Sequence, residues 1–128
     1  MPHFILECTD NIREQAELPE LFRKAHDFLI GTGLYPVAGI RSRVHWLDTW
    51  RMADGEADYA FVHMSLKIGY GRSAEEREYT AQGLFELIKA HFQPLFDTRY
   101  LALTFELSEL PQQLSYKHNN VHQRFRPA

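Results

Sequence analysis

Pro2-His3-Phe4-Ile5-Leu6-Glu7-Cys8 and Gly39-Ile40-Arg41-Ser42-Arg43-Val44-His45-Trp46 are the two stretches on which the fold turns. The first is a short apolar run closed by the turn-forming cluster Thr9-Asp10-Asn11, and it reads as a strand over 2–8. The second opens an alternating segment that continues to Trp50. Ile40, Ser42, Val44 and Trp46 point to one face of a strand, and Arg41, Arg43, His45 and Leu47 to the other. Between the two strands, residues 12–31 carry Leu21, Phe22, Ala25, Phe28 and Leu29 at helical spacing. Proline is tolerated only in a first turn, so Pro19 starts the regular helix near Leu18. Gly31 and Gly33 end it. Strand, helix and strand make one β-α-β unit.

Working outward, the same order returns. Ala53-Asp54-Gly55-Glu56 is a turn, and Tyr59–Ile68 alternates as a strand with Ala60, Val62, Met64, Leu66 and Ile68 on one side. After the loop Gly69-Tyr70-Gly71-Arg72-Ser73, Ser73 and Glu76 form a capping-box pattern that opens a helix over 74–93. Its expected buried stripe is Ala81, Leu84, Phe85, Ile88 and Phe92, with Pro94 near its end. A last strand spans Tyr100–Leu107. The halves, 2–50 and 58–108, are offset by about 58 residues and match in element order but barely in letters.

The fold class expected is therefore α+β. Two β-α-β units form a four-stranded mixed sheet with two helices on one face, in a single domain over 1–128 with a polar tail from 109 to 128. The uncovered sheet face is expected to be apolar and to need a partner, so oligomerisation is expected. The tail is expected to lie on the next subunit.

Bulk properties narrow the chemistry. The 128-residue chain carries a formal net charge of -3 and a pI near 6.1, so a global basic field for nucleic acid is absent. Its one cysteine, Cys8, allows no intrachain disulfide and no thiolate zinc site. No run approaches the roughly 18 apolar residues of a membrane span. The start of the chain also lacks the basic and apolar regions of a secretory signal. A cytoplasmic protein with no membrane or nucleic-acid partner is expected.

Four features could carry chemistry. Pro2 follows a Met1 whose removal a proline permits, and it would then present a secondary amine. Burial and nearby cations would favour the neutral form of that amine, which can take a proton and return it elsewhere. The plain alternative is a tolerated second residue. Arg41 and Arg43 project from the same strand face with roughly 6.6 Å between their Cα atoms. That spacing suits two carboxylates of one small ligand, or else a solvated strand face. Arg72 precedes a helix start, where free N–H groups favour anions, or it belongs to a plain loop whose glycines do not match a phosphate-binding pattern. Among seven histidines, His118 and His122 stand four apart, but no third metal ligand is set by spacing, so no metal is expected. His45 and His63 read as polar groups facing a pocket or a helix.

Together with Asp58-Tyr59-Ala60-Phe61-Val62-His63-Met64, Gly71-Arg72-Ser73 and Asn119-Asn120-Val121-His122, the two opening stretches resemble the 5-carboxymethyl-2-hydroxymuconate isomerases of the tautomerase superfamily. The resemblance runs in matching order over essentially the whole chain, and Gly39–Trp46 is its most specific part. It implies a tautomerase, or macrophage-migration-inhibitory-factor-like, fold assembled as a homotrimer with sites near subunit interfaces. It implies a polycarboxylate dienol as substrate, on the homoprotocatechuate (4-hydroxyphenylacetate) route, and no cofactor or metal. Carried over by residue, Pro2 is the amino-terminal base, and Arg41, with Arg43 or Arg72, holds carboxylates. Lys67 and His45 join the expected substrate-binding set. Two other readings stay open: a keto–enol tautomerase of the phenylpyruvate type, and a non-catalytic trimeric binding protein on the same fold.

Overall fold

The structure, a computed structural model, describes residues 1–127. The chain enters the sheet at once with β1, His3–Thr9. Glu17 then takes a left-handed backbone conformation (φ 46°), and α1 runs Leu18–Gly31 with Pro19 in its first turn. There the missing proline N–H costs no helical hydrogen bond. β2 is Arg41–Leu47 and β3 is Tyr59–Ile68. α2 is Ala74–Thr98 and β4 is Tyr100–Glu109. Ser73 and Glu76 close the capping box in both directions, at 3.1 and 2.9 Å.

The sheet order is β2-β1-β3-β4. β1 pairs parallel to β2 and antiparallel to β3, and β3 pairs parallel to β4. Each parallel pair is joined by its own helix, as a parallel crossover requires. The two strands that begin the β-α-β units thus lie side by side in the middle. Their alternation explains that place: Phe4, Leu6 and Cys8 of β1 and Ala60, Val62, Met64, Leu66 and Ile68 of β3 are fully buried. They meet Leu21, Ala25 and Leu29 of α1 and Leu84, Ile88 and Phe92 of α2 in one core. Burying a side chain of this size stabilises the fold by about 1.5–3 kcal/mol.

Several expectations need correction. α2 runs through Pro94 to Thr98 rather than stopping at 93. Leu95 packs against the core beyond the proline, and Thr98 Oγ1 donates to the Pro94 carbonyl at 3.1 Å, so packing and a side-chain hydrogen bond hold the last turn. Thr80 replaces Ala81 in the fully buried stripe, and Ala81 and Phe85 are only half-buried. Trp46 lies on the helix-covered face, against the core and under the Arg13 guanidinium at 4.9 Å.

The open face of the sheet is mixed rather than apolar. His3, Glu7, Arg41, Arg43, His45, His63, Lys67, Thr104 and Glu106 share it with Ile5, Leu47, Phe61 and Ala102. The tail makes contacts within its own chain. Leu110 N–H donates to the Ile68 carbonyl at 2.7 Å, and Asn119 Nδ2 donates to the Ala38 carbonyl at 3.3 Å. A short 3-10 turn, Val121–Phe125, then packs on the turn Val37–Gly39. His118 precedes that turn and His122 lies within it, so the two do not share an α-helical face.

Candidate active site

The strand register collects charge at one end of the sheet. His3 stands opposite Arg41 on one side and Lys67 on the other, and Ile5 stands opposite Arg43. Arg41, Arg43 and Lys67 therefore gather on the open face where the chain begins. Arg43 Nη1 donates to His3 Nδ1 at 3.1 Å, which leaves the His3 proton on Nε2. Burial, then Arg43, Arg41, the chain's amine and Lys67, lower the His3 pKa, so this imidazole is neutral at pH 7.

Arg72 reaches the same end from the β3–α2 loop. Its Nη2 donates to the Leu34 carbonyl at 2.7 Å and its Nη1 to the Gly69 carbonyl at 3.2 Å. Its guanidinium lies 4.4 Å above the Tyr35 ring. Tyr35 is in turn fixed by its hydroxyl, 2.8 Å from Thr80 Oγ1. A side chain that sequence reading left on a loop is thus held in one position by two carbonyls and an aromatic face.

Pro2 is buried, and its carbonyl accepts from Arg41 N–H at 3.0 Å. With Met1 in place the terminal amine belongs to Met1, and the Pro2 nitrogen lies one residue inward. The amine is closely surrounded. A Cβ on Gly69 would lie 3.7 Å from it and 3.5 Å from Arg72 Nη1, and a Cβ on Gly39 would lie 4.0 Å from it. Burial lowers the amine's pKa most, followed by the charges of Arg72, Lys117 and Arg41. Arg41 Nη1 also lies 3.4 Å from Met1 Sδ.

The amine opens onto a cavity of about 590 Å³ between the sheet end and the tail, lined by Met1, His3, Gly69, Tyr70, Tyr116 and Lys117 among others. A buried, cation-flanked amine facing such a space can exchange protons with an anionic ligand. Cys8, by contrast, is buried in the core with its thiol pushed up to about 12, and it cannot act as a nucleophile there.

Of the expected site residues, Pro2, Arg41, Arg72 and Lys67 come together at this end, and Arg43 joins them through His3. His45 does not. It lies four residues along β2 from Arg41, roughly 13 Å away at strand rise, opposite Glu7. Sequence reading missed three contributors. His3 was legible, since alternation puts it on the face of Arg41. Tyr35 and Lys117 carried no local signal, because only the tertiary path brings them to residue 1.

A family model described as 5-carboxymethyl-2-hydroxymuconate isomerase matches residues 2–125. The 5-carboxymethyl-2-hydroxymuconate Delta-isomerase of Escherichia coli is 61% identical over 126 residues, covering 98% of this chain and 100% of that one. The crystal structure of a 5-carboxymethyl-2-hydroxymuconate isomerase from Deinococcus radiodurans R1 superposes with a TM-score of 0.92 at 39% identity, covering 98% of this chain and 95% of that one. A macrophage migration inhibitory factor-like protein from Entamoeba histolytica shares the fold alone, with a TM-score of 0.57 at 15% identity over 91% of this chain and 96% of that one.

Proposed function

The chain belongs to the 5-carboxymethyl-2-hydroxymuconate isomerase family, and from that membership we propose that Pro2, freed by loss of Met1, is the base of its isomerisation. The enzyme is a 5-carboxymethyl-2-hydroxymuconate delta-isomerase of aromatic catabolism. It converts the dienol to its conjugated 2-oxo isomer, 5-oxopent-3-ene-1,2,5-tricarboxylate, on the homoprotocatechuate route.

The proton bookkeeping needs one base. The neutral Pro2 amine takes the 2-hydroxyl proton, and the oxygen's electrons form the 2-oxo group. The C2–C3 double bond moves to C3–C4, and the C4–C5 pair takes the proton back at C5. Nothing is gained or lost overall, so no further reactant enters. Arg41 and Arg72 flank the amine and would stabilise the dienolate oxygen while binding chain carboxylates. Arg43 and Lys67 would add positive potential, Arg43 through neutral His3.

The observation that supports this reading is the half-buried Met1 amine, one residue from Pro2, beside Arg72, Lys117 and Arg41 at a cavity that Met1 lines. With Met1 retained, the Pro2 nitrogen is an amide and has no basicity. Intact-mass analysis should therefore find activity only in processed protein. A form that keeps Met1 should lose about 10²–10⁴-fold in kcat/KM, the usual worth of a positioned base. Equal rates for the two forms would remove Pro2 from the mechanism.

We further propose a cytoplasmic homotrimer. No helix among the described residues is long and apolar enough to cross a membrane. Leu114, Tyr116, Val121 and Phe125 of the tail are 82%, 86%, 48% and 50% exposed, which supports burial against another copy. Sedimentation at three protomer masses is the expected result.

A further inference from the structure

Residues 111–118 form a strap with two fixed ends. Leu110 N–H extends the sheet by bonding the Ile68 carbonyl at 2.7 Å. Nine residues on, Asn119 Nδ2 bonds the Ala38 carbonyl at 3.3 Å, and Val121–Phe125 rests on Val37–Gly39. Ile68 ends β3 and Ala38 leads into β2, so the two anchors flank the end of the central strand β1 where the chain starts. The strap must cross the mouth of the cavity in front of residue 1. Pro111, Gln112, Ser115, Tyr116 and Lys117 accordingly form its outer wall, while Met1, His3 and Gly69 form its inner wall.

Lys117 is the cation that the strap brings to that wall; it is exposed, and no acid pairs with it among the described residues. Arg41 and Arg72 approach residue 1 from the sheet end and the β3–α2 loop, behind the cavity lining, with Arg41 Nη1 3.4 Å from Met1 Sδ and Arg72 beside Gly69. A dienol with two carboxylates along its chain and a third on a carboxymethyl branch needs cations on more than one side. We propose that Lys117 is the specificity-determining residue for the carboxymethyl arm, holding its carboxylate from the strap while arginines of the sheet end and the β3–α2 loop hold the muconate chain.

This inference rests on the isomerase reading above, and the test separates the two. Wild type, Lys117→Ala and Lys117→Arg are compared on 5-carboxymethyl-2-hydroxymuconate and on 2-hydroxymuconate, which lacks the branch. Each is used as a substrate or, where turnover is too slow to follow, as a competitive inhibitor of the other. Lys117→Ala should raise KM for the tricarboxylate about tenfold or more, as loss of a charge-assisted contact does. It should leave KM for 2-hydroxymuconate, measured on the pH plateau above the acid limb, within about twofold, a bound set well below that loss.

Lys117→Arg should restore most of the tricarboxylate affinity. It should also keep the acid limb of kcat/KM where wild type has it, whereas Lys117→Ala should move that limb upward by removing a cation near the amine. A merely structural tail residue would move neither the substrate ratio nor the limb. Equal loss on both dienols, or no loss on either, overturns the role of Lys117 and leaves the isomerase reading intact. A processed wild type that turns over neither dienol overturns the isomerase reading, and this inference with it.

Discussion

The Tyr35–Thr80 hydrogen bond offers a sharp test of how the site is held. Tyr35 is 4% exposed and Thr80 is fully buried, with the two hydroxyls 2.8 Å apart. Thr80 Oγ1 also donates to the Glu76 carbonyl at 2.9 Å. A hydroxyl has one proton, so Tyr35 must be the donor to Thr80. That makes the pair asymmetric. Thr80→Val removes the only acceptor of a buried phenol and should cost about 1–3 kcal/mol, the penalty of an unsatisfied buried donor. Tyr35→Phe removes the donor but leaves Thr80 bonded to Glu76, and should cost about 0.5–1.5 kcal/mol.

The double variant replaces both partners by apolar groups of similar shape. It should cost close to Tyr35→Phe alone, giving a coupling equal in size to the Thr80→Val cost, about 1–3 kcal/mol. Urea unfolding at one fixed protomer concentration measures all three, because assembly would otherwise shift the midpoints by mass action. Tyr35→Phe keeps the ring 4.4 Å beneath the Arg72 guanidinium, so its kcat/KM should stay within about threefold of wild type, unlike the change expected if the hydroxyl itself served catalysis. Additive costs, or a larger cost for Tyr35→Phe than for Thr80→Val, would refute the donor assignment. A large loss of kcat/KM in Tyr35→Phe would refute the view that the ring, not the hydroxyl, carries Arg72.

Two further outcomes follow from helix packing and from the charges around residue 1. A Cβ on Gly83 of α2 would fall 2.3 Å from Cζ and 2.7 Å from Cε1 of Phe28 on α1. Gly83→Ala should therefore destabilise by about 1–3 kcal/mol in thermal or urea unfolding through overpacking, although alanine in a helix interior normally gains about 1 kcal/mol over glycine; a stabilised variant would show the helices free to part. The pH profile has a defined sign. The base works when neutral, so activity falls as pH drops through the Pro2 amine's pKa. Burial with Arg72, Lys117 and Arg41 lowers the pKa of the Met1 amine, and the Pro2 amine freed one residue inward should meet the same cations and shift the same way. The acid limb of kcat/KM should lie below the pKa of a free prolyl amine and rise in Arg72→Met; a wild-type limb at or above that of a free prolyl amine would contradict the electrostatic account.

Much of this was legible in the letters. The alternation in Ile40–Trp46 and Tyr59–Ile68 requires strands with one buried side. Pro19 and the Ser73/Glu76 pair mark two helix starts that the structure reproduces. Those signals are local, depending on backbone sterics and on the period of the apolar residues. Local signals failed where packing overrode them. A proline normally ends a helix, yet Leu95 buried beyond Pro94 keeps α2 intact to Thr98. The open sheet face was expected to be apolar because it lacks helices, although alternation sets His3, Arg41, Arg43, His63 and Lys67 on it beside Ile5 and Phe61.

The sequence by itself determined which residues could be charged and on which strand face each would stand. Arg41, Arg43 and His45 share a face by period alone, but period carries no information about which end of a strand meets the chain's start. The tertiary structure decided that. Parallel pairing of β1 with β2 put Arg41 rather than His45 beside residue 1, because strand order and register, unlike alternation, are set by contacts between segments far apart in the chain. The same long-range geometry carried Arg72 across Tyr35 and folded the tail back so that Lys117 faces the amine.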